Sequence, residues 1–141
     1  MRRMPFSFSK VGVDRRWLAA AVVYAAVIFM VSSRPYLRPP GPEFQMKDNL
    51  AHAFEYAVLA ALLFRALGAL AWPDLAITFL MVVAVTASVG AADEMFQGTV
   101  PGRQRDVMDW VCDATGAALA TAACMAWARR RVVIMNAENT R

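Results

Sequence analysis

The sequence contains one histidine and two cysteines among its 141 residues, which leaves little material for metal-binding or redox motifs. Cys112 and Cys124 fall on one predicted helix about 18 Å apart, at 1.5 Å per residue, so they cannot form a disulfide with each other. Neither belongs to a CxxC pair, and His52 has no second histidine at helical spacing. These absences argue against a zinc module and predict no bound cofactor or metal.

Charged residues are missing from long stretches of the chain. Hydrophobic residues make up 59% of the sequence, and they form continuous blocks rather than amphipathic patterns. A membrane span requires about 20 mainly apolar residues. Four segments come close to this length: residues 17–33, 49–72, 75–97 and 107–128. Because they use nearly the whole chain, we predict one all-α membrane domain over residues 1–141, a bundle of four transmembrane helices.

Basic residues cluster at the two ends of the chain, within residues 1–16 and at Arg129, Arg130 and Arg131. The positive-inside rule places both clusters in the cytoplasm, which requires an even number of spans. We therefore expect a cytoplasmic leader over residues 1–16 and a disordered cytoplasmic tail over residues 129–141. A cleaved signal peptide is the alternative for the first segment, but its removal would leave an odd number of spans. No nucleic-acid partner is expected, because no basic surface accompanies a soluble fold.

The second segment opens with polar residues that share one helical face. Asp48, His52, Glu55 and Tyr56 recur at i, i+4, i+7 and i+8, and Asp48 is placed to cap the helix. A charged side chain at the centre of the apolar layer costs about 2.5 kcal/mol or more, and less near the interface. These side chains should therefore face other helices rather than lipid.

A second polar stretch separates the third and fourth segments. Asp93, Glu94 and Gln97 share a face if the third helix continues one turn beyond its apolar run. Asp106 is predicted to cap the fourth helix, where an acid satisfies free amides and the helix dipole.

The start of the fourth segment continues the pattern on a single face. Asp109 and Asp113 follow Asp106 at i+3 and i+7. A stripe of small residues, Gly116, Ala120 and Cys124, then extends this face. Such a stripe serves packing within the chain or dimerisation equally well, so the oligomeric state is left open.

With four spans, both polar stretches lie near the extracytoplasmic side of the membrane. We expect them to form one outward-facing, carboxylate-rich site. Its predicted ligand-binding members are Asp48, His52, Glu55, Tyr56, Asp93, Glu94, Gln97, Arg103, Asp106, Asp109 and Asp113.

The order and spacing of these residues resemble the VanZ-like membrane proteins. The matching pattern is Asp48-x3-His52-x2-Glu55-Tyr56-x2-Leu59, followed by Asp93-Glu94-x2-Gln97-x3-Pro101-Gly102-Arg103-x2-Asp106-x2-Asp109-x3-Asp113-x2-Gly116. The resemblance covers residues 48–116. It implies a role in the cell envelope and a location in a bacterial cytoplasmic membrane, since the namesake of the family is associated with teicoplanin resistance. Two departures stand out. The family usually has Lys at the position of Asn49, and it commonly has Ser in the turn and Asn or Asp at the last acidic position, where this chain has Asp106 and Asp113.

The first functional hypothesis is a binding site, with membrane lipids as surroundings and an envelope molecule as ligand. Arg103 and Arg105 would hold phosphate or carboxylate groups of a lipid-linked wall precursor or a glycopeptide. The acids, Gln97 and Tyr56 would exchange hydrogen bonds with ligand hydroxyls.

The second hypothesis is a hydrolase of a lipid-linked phosphate. His52 would act as general base, oriented by Glu55 or Asp48, with Asp93 or Glu94 as the acid. A metal-assisted variant would combine His52 with Asp93, Glu94 and either Asp109 or Asp113.

The third hypothesis is a purely structural polar network. In it, Arg103 or Arg105 would neutralise Asp93, Glu94 or Asp109, while His52 and Tyr56 form hydrogen bonds between helices. Of the three we favour the binding site, with a contribution to glycopeptide tolerance, and keep the hydrolase and the structural network as alternatives.

Overall fold

The computed structural model describes residues 13–35, 47–67 and 75–138, and these ranges contain helices but no strand. The four helices are α1 (Arg15–Ser32), α2 (Lys47–Ala66), α3 (Leu75–Gln97) and α4 (Val107–Glu138). The all-α prediction is therefore confirmed. Among the described residues, α1, α3 and α4 are long and apolar enough to cross a membrane.

Helix α2 is absent from that set because polar residues interrupt its apolar surface. Its sequence carries Asp48, His52, Glu55 and Arg65 within 20 residues. It nevertheless lies at the centre of the bundle, where it contacts α1, α3 and α4 and packs most extensively against α4. A helix surrounded by other helices tolerates polar side chains that a lipid-facing helix does not.

The C-terminal ends of α2 and α4 differ from those expected by several residues. Helix α2 ends at Ala66, before the predicted limit of residue 72, and residues 68–74 lie outside the described ranges. Helix α4 continues to Glu138, which corrects the expectation of a disordered tail after residue 128. Arginine favours helix formation, and the guanidinium of Arg131 stacks 4.3 Å from the ring centre of Trp127, one turn earlier.

Helix starts also depend on local capping. The side chain of Asp14 accepts a hydrogen bond of 2.9 Å from the amide of Arg16, so α1 begins at Arg15, earlier than the expected residue 17. Asp48 lies inside the first turn of α2, not at its cap as predicted. An acid in a first turn still interacts favourably with the helix dipole.

Helices α1 and α2 run in opposite directions, and their contacts fix one end of the bundle. The amide of Asp14 donates a 2.7 Å hydrogen bond to the carbonyl of Ala66. Beside it, the Arg65 guanidinium lies 4.6 Å from the ring centre of Trp17. The beginning of α1 and the end of α2 are therefore neighbours, and the predicted polar site lies towards the opposite end.

Two apolar clusters form the core between the helices. One combines Ala60, Phe64, Val82 and Ala117 from α2, α3 and α4. The other combines Ala21, Ile28, Tyr56 and Leu59 from α1 and α2. Both clusters contain residues of α2, in agreement with its central position in the bundle.

The small-residue stripe of α4 packs within the chain. A side chain at Gly116 would overlap the backbone carbonyl of Ala53 on α2, and Ala120 and Cys124 pack against the first core cluster. Gly116 thus allows the backbones of α2 and α4 to approach closely, as small residues do between membrane helices.

Gly116→Ala is expected to lower the free energy of unfolding by about 1–3 kcal/mol, the usual cost of forcing extra volume into packed contacts. The backbone of Ala53 cannot rotate away as a flexible side chain could. Unfolding in detergent, followed by circular dichroism, measures the change. Thr115→Val, one residue earlier at an exposed position, is the control, and equal stability of the two variants would contradict the close helix approach.

Candidate functional site

The central side chain of the site is His52, which connects α2 to α4. Its Nδ1 atom lies 3.1 Å from Oδ1 of Asp113, and its Nε2 atom lies 3.7 Å from Oδ2 of Asp109. The imidazole is 12% exposed and the Asp113 side chain is 1% exposed. The spacing of Asp109 and Asp113 by four residues places both carboxylates on the α4 face that meets α2. His52 therefore lies between two acids.

Asp109 is held from a second direction by Asn49. The Asn49 amide donates a hydrogen bond of 3.1 Å to Oδ1 of Asp109, which leaves Oδ2 facing the imidazole of His52. Asn49 is one of the positions at which the chain departs from the VanZ-like pattern. Asparagine supplies a neutral donor there, so no positive charge from this position offsets the carboxylate.

Glu94 links the end of α3 to the start of α4. Its Oε2 atom accepts a 2.9 Å hydrogen bond from the backbone amide of Asp106. The Asp106 side chain in turn accepts a 2.7 Å hydrogen bond from the amide of Met108, which confirms its predicted role as helix cap. Glu94 is only 7% exposed. Glu94 and Asp106 thus stabilise the turn between α3 and α4 through hydrogen bonds to backbone amides.

Asp93 and Gln97 form a separate buried network with α1. The hydroxyl of Ser32 donates to Oδ2 of Asp93 at 2.8 Å, and the Gln97 amide donates to the same oxygen at 2.9 Å. The Gln97 amide also lies 3.3 Å from the Ser32 hydroxyl. Sequence reasoning missed Ser32. The available signal was a hydroxyl residue at the same end of an apolar segment as Asp93.

Gly90 is the other contributor that sequence reasoning did not assign to the site. A Cβ atom at this position of α3 would lie 2.8 Å from Oδ2 of Asp113. The missing side chain makes the space that the Asp113 carboxylate occupies between α3 and α4.

Several buried polar atoms at this end make no hydrogen bond to the part of the chain that the structure describes. They are Tyr56 Oη, Asp93 Oδ1, Glu94 Oε1, Arg103 Nε and Asp113 Oδ2. Buried polar atoms are normally paired, so such a group of five requires a partner, whether water, an ion or a ligand. The described residues of the site therefore do not satisfy all of its buried polar atoms.

The contacts expected for the arginines are not found. Within the described ranges, neither Arg103 nor Arg105 lies within 4.0 Å of an acidic oxygen, and His52 makes the ion pairs of the site. Arg103 lies within electrostatic reach of Glu55 and Asp109. Arg105 instead packs over Gly98, where a side chain would collide with it.

Two further expectations about His52 change with the structure. Asp113 of α4 orients the imidazole, and neither Glu55 nor Asp48, the predicted partners, forms a hydrogen bond or ion pair with it among the described residues. Asp48 is exposed, and Glu55 is partly buried on the same helix. Residues on one helical face lie side by side, whereas the closest contacts of His52 come from the opposing helix.

The site lies where α1 and α3 end and α2 and α4 begin, in an all-α bundle with membrane-compatible helices. These features define a small helical membrane protein with a buried polar site. A family model described as VanZ/LLP1 matches residues 4–129. The chain belongs to the VanZ/LLP1 family. The match extends beyond residues 48–116 and includes α1, which supplies Ser32. Comparisons with curated proteins and with solved structures found no match.

Proposed function

We propose that this VanZ-like protein crosses the bacterial cytoplasmic membrane four times and binds an anionic envelope molecule at its polar site. The ligand class is a lipid-linked wall precursor or a glycopeptide, and binding would contribute to glycopeptide tolerance. In this arrangement both termini are cytoplasmic, and α2 crosses the membrane inside the bundle. The site then opens to the extracytoplasmic side, where such molecules are found.

The observation that carries the proposal is the state of Arg103. Its side chain is half-buried, its Nε atom makes no hydrogen bond within the described residues, and no acid forms an ion pair with it there. A guanidinium has five donors in a planar fork that suits phosphate and carboxylate. Arg103 thus has the chemistry and the free donor that an anionic ligand requires.

The rim and the interior of the site have different parts in this proposal. Arg103 and Asp109 are partly exposed, and Asp48 and Asp106 are exposed, so these four can touch a ligand directly. Tyr56, Asp93 and Asp113 are fully buried or nearly so. The buried residues would hold the rim in place, and rim carboxylates would accept hydrogen bonds from ligand hydroxyls.

Arg103→Ala is expected to weaken binding of a polyprenyl phosphate by about tenfold or more, because one charge-assisted hydrogen bond contributes about 1.5–3 kcal/mol. Titration of the full chain in lipid nanodiscs measures the affinity, and teicoplanin tolerance of expressing cells is scored in parallel. Arg129→Ala, at the other end of α4, is the matched control. Unchanged affinity and unchanged tolerance in Arg103→Ala would remove the proposal.

The hydrolase remains the second candidate because the structure orients His52 against Asp113. When Nδ1 donates its proton to a carboxylate, Nε2 is the nitrogen that can accept a proton, as a general base must. Phosphate release in the same nanodisc samples distinguishes the two functions. Turnover that His52→Ala abolishes would favour the hydrolase, and binding without turnover would favour the binding protein.

A further inference from the structure

We propose that His52, Glu94 and Asp109 bind one divalent cation of the first transition series, such as Zn²⁺. One ligand atom from each of these residues lies within 4.8 Å of the other two. Tetrahedral bonds of about 2.1 Å place neighbouring ligand atoms about 3.4 Å apart. The 3.7 Å between His52 Nε2 and Asp109 Oδ2 is already close to this distance. Small side-chain rotations would complete the geometry.

The hydrogen bond between His52 and Asp113 supports the assignment. Histidines that bind metals usually donate their other ring N–H to a carboxylate or carbonyl, which fixes the tautomer and the ring orientation. Here Nδ1 lies 3.1 Å from Oδ1 of Asp113. When Nδ1 donates to Asp113, a neutral imidazole has its lone pair on Nε2, the nitrogen that lies 3.7 Å from Oδ2 of Asp109.

An independent observation at Glu94 points to a ligand. This residue is 7% exposed, and while Oε2 accepts the amide of Asp106, Oε1 has no hydrogen-bond partner within the described residues. A buried carboxylate oxygen without a partner is costly unless a cation or donor meets it. A divalent cation between Glu94, His52 and Asp109 would satisfy this oxygen.

A divalent cation would offset more of the negative charge at this site than a proton on His52 does. Asp109 and Asp113 lie against the imidazole of His52, and Glu94 lies within electrostatic reach of it. A protonated imidazole supplies a single positive charge and donates from both nitrogens, whereas a divalent cation with neutral His52 supplies two. Imidazole with carboxylates is a donor set that Zn²⁺ and related cations accept.

The structure also narrows the ligand set. Oδ2 of Asp93 accepts hydrogen bonds from Ser32 and Gln97, and Oδ1 of Asp113 lies against Nδ1 of His52. Neither residue belongs to the group whose ligand atoms lie within 4.8 Å of one another. Both were candidate metal ligands in the metal-assisted variant of the hydrolase hypothesis. The geometry assigns Asp113 to positioning and leaves Glu94 and Asp109 as oxygen ligands. This inference rests on these contacts alone and is independent of the proposed envelope ligand.

The test uses the full chain in nanodiscs, purified without a polyhistidine tag and stripped with a chelator. Titration with Zn²⁺ should show one saturable site at micromolar zinc that His52→Ala, Glu94→Gln and Asp109→Asn each abolish. Asp113→Asn should weaken it about 10- to 100-fold, as loss of an outer partner does. Glu138→Gln, which removes an exposed acid at the far end of α4, should bind as wild type does.

A measurement on the wild type alone covers the case in which a variant does not fold. The chain has one histidine, so pulsed electron paramagnetic resonance of the Cu²⁺-loaded protein assigns any coordinated imidazole to His52. We expect one imidazole per copper. Folded wild type that binds no cation saturably, or that binds copper without imidazole, would overturn the proposal. Binding that survives all three ligand substitutions would overturn it as well.

Discussion

Asp113→Ala is expected to lower the free energy of unfolding by about 3–5 kcal/mol, the cost of removing one partner from a buried ion pair. The Asp113 side chain is 1% exposed and lies against His52. Its removal leaves the imidazole without its closest acid and opens a space beside Gly90. Unfolding of the chelator-treated protein in detergent, monitored by circular dichroism, measures the loss, and the same measurement on Thr115→Val provides the baseline.

A double-mutant cycle with His52→Ala separates the ion pair from the packing. If the two side chains stabilise each other, the double variant should be less destabilised than the sum of the single variants, because neither partner remains buried alone. Coupling between contacting charged groups is commonly about 0.5–3 kcal/mol. Additive losses of stability would show that His52 and Asp113 contribute independently, which would contradict a stabilising ion pair between them.

The number and approximate positions of the helices could be predicted well from the sequence. Apolar runs long enough to cross a membrane have few alternatives, and the turn around Gly98 and Pro101 leaves little freedom in where α3 ends. The limits that failed depend on weaker effects. The Asp14 cap starts α1 early, and helix-favouring residues such as Arg131 carry α4 past its apolar run.

The composition of the site was predictable for a different reason. Ionisable side chains in an apolar layer must turn towards other helices, so helical spacing alone identifies which residues point inward. That reasoning placed His52, Asp109 and Asp113 in one region, and the structure brings their side chains into contact. The depth of a side chain in the membrane and the helical face on which it lies depend on one helix alone, so both can be predicted from the sequence.

Partner choice was not predictable, because it depends on how helices are rotated and offset against one another. A shift of one residue between α2 and α4 would exchange Asp113 for another neighbour of His52. The contact of Ser32 with Asp93 crosses 61 positions of sequence, and nothing in either local pattern specifies it. The same applies to Gly90, whose purpose is visible only once Asp113 lies beside it.

Cysteine labelling is expected to give an all-or-none result for the orientation of the site. In a chain with Cys112 and Cys124 replaced by serine, Thr99→Cys in the exposed α3–α4 turn should react with a membrane-impermeant maleimide in intact cells. Glu138→Cys should react only after the membrane is opened. The basic residues at both ends of the chain and the even number of proposed spans give this direction.

The reverse labelling pattern would turn the site towards the cytoplasm. The contacts among His52, Asp109 and Asp113 would be unaffected, because they depend on packing between α2 and α4. The proposed ligand class would then be ruled out, since wall precursors after export and glycopeptides are met only on the outer side. Labelling of both cysteines in intact cells would instead mean that α4, the helix between residues 99 and 138, does not cross the membrane.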